Sequence, residues 1–104
     1  PIMIAGEMKV AARRAAIYGD GWIPRYLWYT PESIAEGRAR MVAAYQDYGR
    51  DPDTIDITLF GCRQDKDEMQ RFVDAGVTRI LFVLKPEPPD MMKDRIYRLA
   101  ERVL

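Results

Sequence analysis

The chain has 104 residues, with 16 basic and 16 acidic side chains, no histidine, a single cysteine and 48% hydrophobic residues. That length supports one modest core and a single domain over residues 1–104, and the balanced charge leaves no electrostatic footprint for nucleic acid. Without histidine, this chain supplies no histidine base, no Ser-His-Asp triad and no His-liganded metal; with Cys62 alone, it forms neither an internal disulfide nor a four-cysteine zinc site.

Four times an apolar run is followed by a helical pattern. The first strand runs from Ile2 to Ala5 and is broken by Gly6. An alanine-rich helix follows from about Glu7 to Tyr18, with Gly19 as its C-terminal stop. A short strand spans Gly21 to Pro24, and a loop, Arg25 to Tyr29, leads to Thr30-Pro31-Glu32. There threonine caps a helix, proline takes the first helical position and glutamate meets the positive end of the dipole. Ile34, Met41, Val42, Tyr45 and Tyr48 recur at helical spacing up to Gly49, and Arg50-Asp51-Pro52 makes the next turn. The third strand is Ile55 to Cys62. Asp65 caps the third helix, with Glu68 in a capping-box relation; that helix buries Met69, Phe72 and Val73 and stops at Gly76. The fourth strand, Arg79 to Leu84, is an apolar run of the kind buried on both faces in parallel sheets. After the stiff segment Lys85 to Pro89, Asp90 caps a last helix whose core face is Met91, Ile96, Leu99, Ala100 and Val103.

Strict strand–helix alternation predicts an α/β fold with a parallel sheet and right-handed crossovers. Four such units have two solutions. The sheet can curl into half of a barrel, which leaves one face bare and demands a second half or a second copy. Alternatively, the helices can cover both faces in a small flavodoxin-like sandwich. No apolar run approaches the roughly 20 residues of a membrane span, and no signal peptide is visible, so the expected location is cytoplasmic. The start directly on a strand-like run suggests a piece of a longer protein.

Several motifs fall into one order: Pro1-Ile2-Met3-Ile4-Ala5-Gly6, Arg13-Arg14-Ala15-Ala16, Tyr18-Gly19-Asp20-Gly21-Trp22-Ile23-Pro24, Thr30-Pro31-Glu32, Tyr48-Gly49-Arg50-Asp51-Pro52 and Asp74-Ala75-Gly76-Val77-Thr78-Arg79. Together they resemble the luciferase-like flavin- and deazaflavin-dependent oxidoreductases, bacterial luciferase-like monooxygenases among them. The Gly-Asp-Gly-Trp element is the most specific. The resemblance implies that these units are strands five to eight of a (β/α)8 TIM barrel, the C-terminal half-barrel. It also implies a flavin mononucleotide (FMN) or deazaflavin (coenzyme F420) cofactor at the C-terminal face, where the loops after barrel strands converge. The family's acid–base residue and much of its flavin-ring pocket belong to the other half, so this chain is expected to be inactive alone. Its partner would be the missing N-terminal half-barrel or, as a homodimer, a second copy. The alternative is a non-catalytic half-barrel that self-associates and has lost the cofactor.

The implied cofactor-binding residues are Ala5, Gly6, Glu7 and Met8, in a turn into a helix N-terminus that offers amides to a phosphate, together with Trp22. Ala5 stands where the family has glycine and Met8 where it has a hydroxyl, while Glu7 brings a negative charge; a plain strand-to-helix turn is the other reading. Trp22 suits a pocket wall or core packing equally. Arg25, Tyr26, Trp28 and Tyr29 form an aromatic and basic loop suited to substrate or to an interface. Arg63 and Lys85 follow the third and fourth strands and read as solvated charges or anion contacts. Asp20 reads as a turn residue bonded to its own backbone, Arg13 and Arg14 as outer-surface residues, and Cys62 as a buried hydrophobe.

Overall fold

Strand and helix alternate through the chain. A computed structural model describes residues 3–5, 8–84 and 88–103, with the backbone alone at 8–10. The elements are β1 (Met3–Ile4), α1 (Met8–Tyr18), β2 (Gly21–Trp22), a 3-10 turn (Tyr26–Trp28), α2 (Pro31–Asp47), a second 3-10 turn (Pro52–Thr54), β3 (Asp56–Phe60), α3 (Lys66–Asp74), β4 (Arg79–Leu81) and α4 (Pro89–Val103). The four strands form one all-parallel sheet in the order β1-β2-β3-β4. Strand order follows chain order, without the reversal that defines a doubly wound, flavodoxin-like sheet. In keeping with this, α1 packs on α2 and α2 on α3.

Register decides which side chains meet the helices. Trp22 lies beside Ile57, and both are fully buried. Side chains alternate along a strand, so Gly21 and its partner Asp56 face the other way. A Cβ on Gly21 would sit 2.1 Å from the Asp56 carbonyl oxygen, so the glycine is a condition of β2 pairing with β3. On the helix side, Ala11, Ala12, Ala15 and Ala16 give α1 a flat buried face. The core continues through Ile34, Met41 and Tyr45 of α2, Leu59 of β3 and Phe72 of α3. Such burial stabilises by roughly 25 cal/mol for each Å² of apolar surface withdrawn from water.

Caps account for where the helices begin and end. Thr30 and Ser33 form a reciprocal capping box: the Thr30 amide donates to Ser33 Oγ at 2.8 Å and the Ser33 amide to Thr30 Oγ1 at 3.2 Å. α2 ends at Gly49, whose φ of +68° places it in the left-handed region that favours glycine. α1 ends differently. Gly19 does not adopt a left-handed conformation; instead Arg50 Nη1 donates to the carbonyl oxygens of Ala15, Ala16 and Gly19 at 2.9, 3.1 and 2.6 Å. The Gly-Arg-Asp-Pro turn thus caps a helix more than thirty residues upstream. Asp65 caps α3 by accepting from the amides of Asp67 and Glu68. The carboxylate of Glu68 serves elsewhere, accepting from the Tyr26 hydroxyl at 2.7 Å.

Several expectations are corrected toward the C-terminal end. The fourth strand pairs only over Arg79–Leu81. Its apolar run is not buried on both faces, for Val83 is 62% exposed and Leu81 lies open as well. No described strand pairs with β4 on its far side; Ile80 and Phe82 pack against the core on one face, while Leu81 and Val83 lie open on the other. The expected core face of α4 is likewise open: Met91 and Ile96 are more than half exposed, and the helix has no fully buried residue. Asp90 lies inside the first turn of α4 rather than before it. The third strand is also shorter than expected, ending at Phe60 because Gly61 turns away with φ +76°. Among the described residues, no helix is long and apolar enough to cross a membrane.

Candidate functional site

The carboxyl ends of β1, β2 and β3 frame an open cleft of about 440 Å³. Its floor is Ala5, Ile23, Pro24 and Phe60, each at or just past the end of a strand. In parallel α/β sheets this is the end where ligands bind, since only there do the strand-to-helix loops meet. The Phe60 amide donates to the Pro24 carbonyl at 2.9 Å, and Arg25 forms a parallel bridge with Phe60, so the floor continues the sheet.

The wall is the 3-10 turn and its flanks. Arg25, Trp28 and Tyr29 line the cleft. The Arg25 guanidinium stacks over the Trp28 ring, 5.0 Å from its centroid, a cation–π contact worth about 0.5–1 kcal/mol at an exposed site. Trp28 is 71% exposed. Tyr29 meets Trp22 edge-on, with ring centroids 5.0 Å apart. Tyr26 anchors the turn from behind through its hydrogen bond to Glu68 and a tilted contact with Phe72. The Glu68 bond, with help from burial, pushes the Tyr26 pKa up to about 12, so at neutral pH its hydroxyl remains a donor.

Of the residues implied to bind a cofactor, Ala5 is exposed and lines the cleft. Gly6 and Glu7 lie outside the described residues, and Met8 opens α1 with only its backbone described. Trp22 is fully buried on the helix side of the sheet, as its pairing with Ile57 requires. It meets the cleft wall through Tyr29, and its Nε1 finds no hydrogen-bond acceptor among the described residues.

Arg63 is exposed and does not line the cleft, and Lys85 lies outside the described residues. Asp20 pairs with Arg50 at 4.0 Å. Arg13 and Arg14 are exposed on α1, with Arg13 Nε donating to the Tyr48 hydroxyl. Cys62 is buried. Burial first, then the Glu68 and Asp65 carboxylates, push its thiol pKa up to about 11, which leaves it protonated and inert at neutral pH. Phe60 is the cleft residue that motif reading passes over. Its signal was positional: it is the last strand residue before a glycine.

The cleft offers flat apolar and aromatic surface plus one permanent cation. Among the described residues, no carboxylate or thiol lines it. Among the described residues, no group of three or more His, Cys, Asp or Glu is placed to hold a metal ion. No known protein family's sequence model matches the chain, and no curated protein matches it.

Proposed function

We propose that the chain is the C-terminal half of a luciferase-like flavin- or deazaflavin-dependent oxidoreductase, a half-barrel inactive until its sheet is completed. The observation that carries this reading is the cleft at the carboxyl ends of a parallel sheet whose strand order follows chain order. A sheet wound in one direction keeps its helices on one face and curls toward a barrel. Its other face then becomes the barrel interior, which explains why apolar Phe60, Leu81 and Val83 are open.

The cleft residues suit the cofactor class. Ile23, Pro24 and Phe60 offer an apolar bed for a fused ring system, Trp28 and Tyr29 offer stacking faces, and Arg25 offers a cation to an anionic tail. The bound group would supply hydride or oxygen chemistry; these residues would bind it, orient it and exclude water. The proton-transfer residue comes from the other half.

Mixed with N-terminal halves of such oxidoreductases, the chain should form a one-to-one complex that quenches flavin or deazaflavin fluorescence. A chain that pairs with none of them and leaves the fluorescence unchanged at high concentration would overturn the proposal. The same bare apolar face favours a second reading, a self-associating half-barrel without cofactor. Light scattering distinguishes it from a soluble monomer near 12.0 kDa.

A further inference from the structure

A second groove, of about 320 Å³, lies between α4 and the segments that follow β3 and β4. It shares no lining residue with the first cleft. One wall is α4, which presents Arg95, Arg98 and Arg102; the other carries Gln64 and Leu84. Residues spaced three and seven apart fall on one helical face, and at 1.5 Å per residue the three arginines extend along about 10 Å of helix.

We infer that this groove binds a phosphoryl anion, with more than one phosphoryl group to match that length. Guanidinium forks complement phosphoryl oxygens bidentately and stay charged at any physiological pH. Among the described residues, neither Arg98 nor Arg102 has a carboxylate within ion-pair distance. Arg102 Nη1 donates to Gln64 Oε1 at 3.0 Å. That bond fixes Gln64 with its amide oxygen engaged, so its NH2 group is available to donate into the groove. One carboxylate, Asp94, also lines the groove and sets a limit on how tightly an anion is held. Leu84 and Leu99 give it an apolar side, which suits an organic portion attached to the phosphates. The inference does not rest on the barrel reading, since it uses neither the first cleft nor a second half.

The test is a titration of the full chain with sodium pyrophosphate, ionic strength held constant with sodium chloride, followed by amide chemical shifts. Saturable shifts centred on Gln64 and α4 are expected. The double variant R95Q/R98Q should weaken binding tenfold or more while circular dichroism stays unchanged. D94N should tighten binding, and R40Q, at an exposed position of α2 outside the groove lining, should leave it as it is. Shifts that grow linearly without saturation, or an R40Q loss as large as that of R95Q/R98Q, would overturn the inference. Pyrophosphate carries no ring, so neither outcome bears on the flavin proposal.

Discussion

Arg50 shows how much one side chain can settle. Its guanidinium holds three carbonyl groups at the end of α1, stacks over Tyr45 at 4.3 Å and pairs with Asp20. Hydrogen bonds to charged groups contribute about 1.5–3 kcal/mol each where desolvated, and this group is partly open to water. Arg50→Ala should therefore cost about 2 kcal/mol in urea unfolding, and Arg50→Lys, which keeps the charge but loses the fork, should recover less than half. Tyr26 makes a pH-dependent contribution. Free tyrosine ionises near 10.0, whereas Tyr26 keeps its proton to about 12. Between those values the unfolded chain sheds a proton that the folded chain retains, so stability falls as pH rises through the window. Tyr26→Phe should lower stability at pH 7 by about 1 kcal/mol and flatten that alkaline fall; an unchanged slope would mean that the Glu68 bond is not the cause.

At the scale of elements, much was legible and the reasons are particular. Thr30-Pro31-Glu32 predicts a helix start because capping is local chemistry, and α2 begins at Pro31. Gly49 marks its end for the same kind of reason. Gly19 carries the same signal but the cap comes from Arg50, a long-range bond that no local pattern announces. Gly21 sits in a recognisable motif, yet its physical reason, contact with the Asp56 carbonyl, needed the strand register. Gly21→Ala should separate β2 from β3 and cost several kcal/mol, on the order of 3, visible as a large drop in melting temperature or as insoluble protein. The apolar stripe of α4 was plain, but periodicity reports that a helix has an apolar face and not that anything covers it. In hydrogen exchange, α4 amides should be replaced early and those of Ile34 to Tyr45 late; equal protection would mean that α4 is held by contacts beyond those described.

For the whole molecule, the decisive quantity is apolar surface left in water. Phe60, Leu81 and Val83 are open on the sheet, Trp28 and Leu27 at its rim, and Met91, Ile96 and Tyr97 on α4. Exposed contiguous apolar surface marks interfaces, and a near-neutral chain does little to oppose association. Val83→Lys should shift light-scattering mass toward the monomer without lowering the melting temperature, because that side chain makes little of the core. An unchanged mass distribution would place association elsewhere. The candidate cleft was half legible for the same reason of scale: Ile23 and Pro24 stand in the motif at a strand end, whereas Phe60 enters only once β3 lies beside β2.

The cap donated to α1 from residue 50 has a consequence for synthesis. Chains leave the ribosome amino end first, so α1 emerges well before the guanidinium that closes it. An eleven-residue helix is marginal by itself in water. Through that interval α1 should fray at its carboxyl end and become durable once both Arg50 and the packing face of α2 are in place. A nascent chain stalled just before residue 50 should thus be cut by protease within α1, and one stalled some tens of residues later should not.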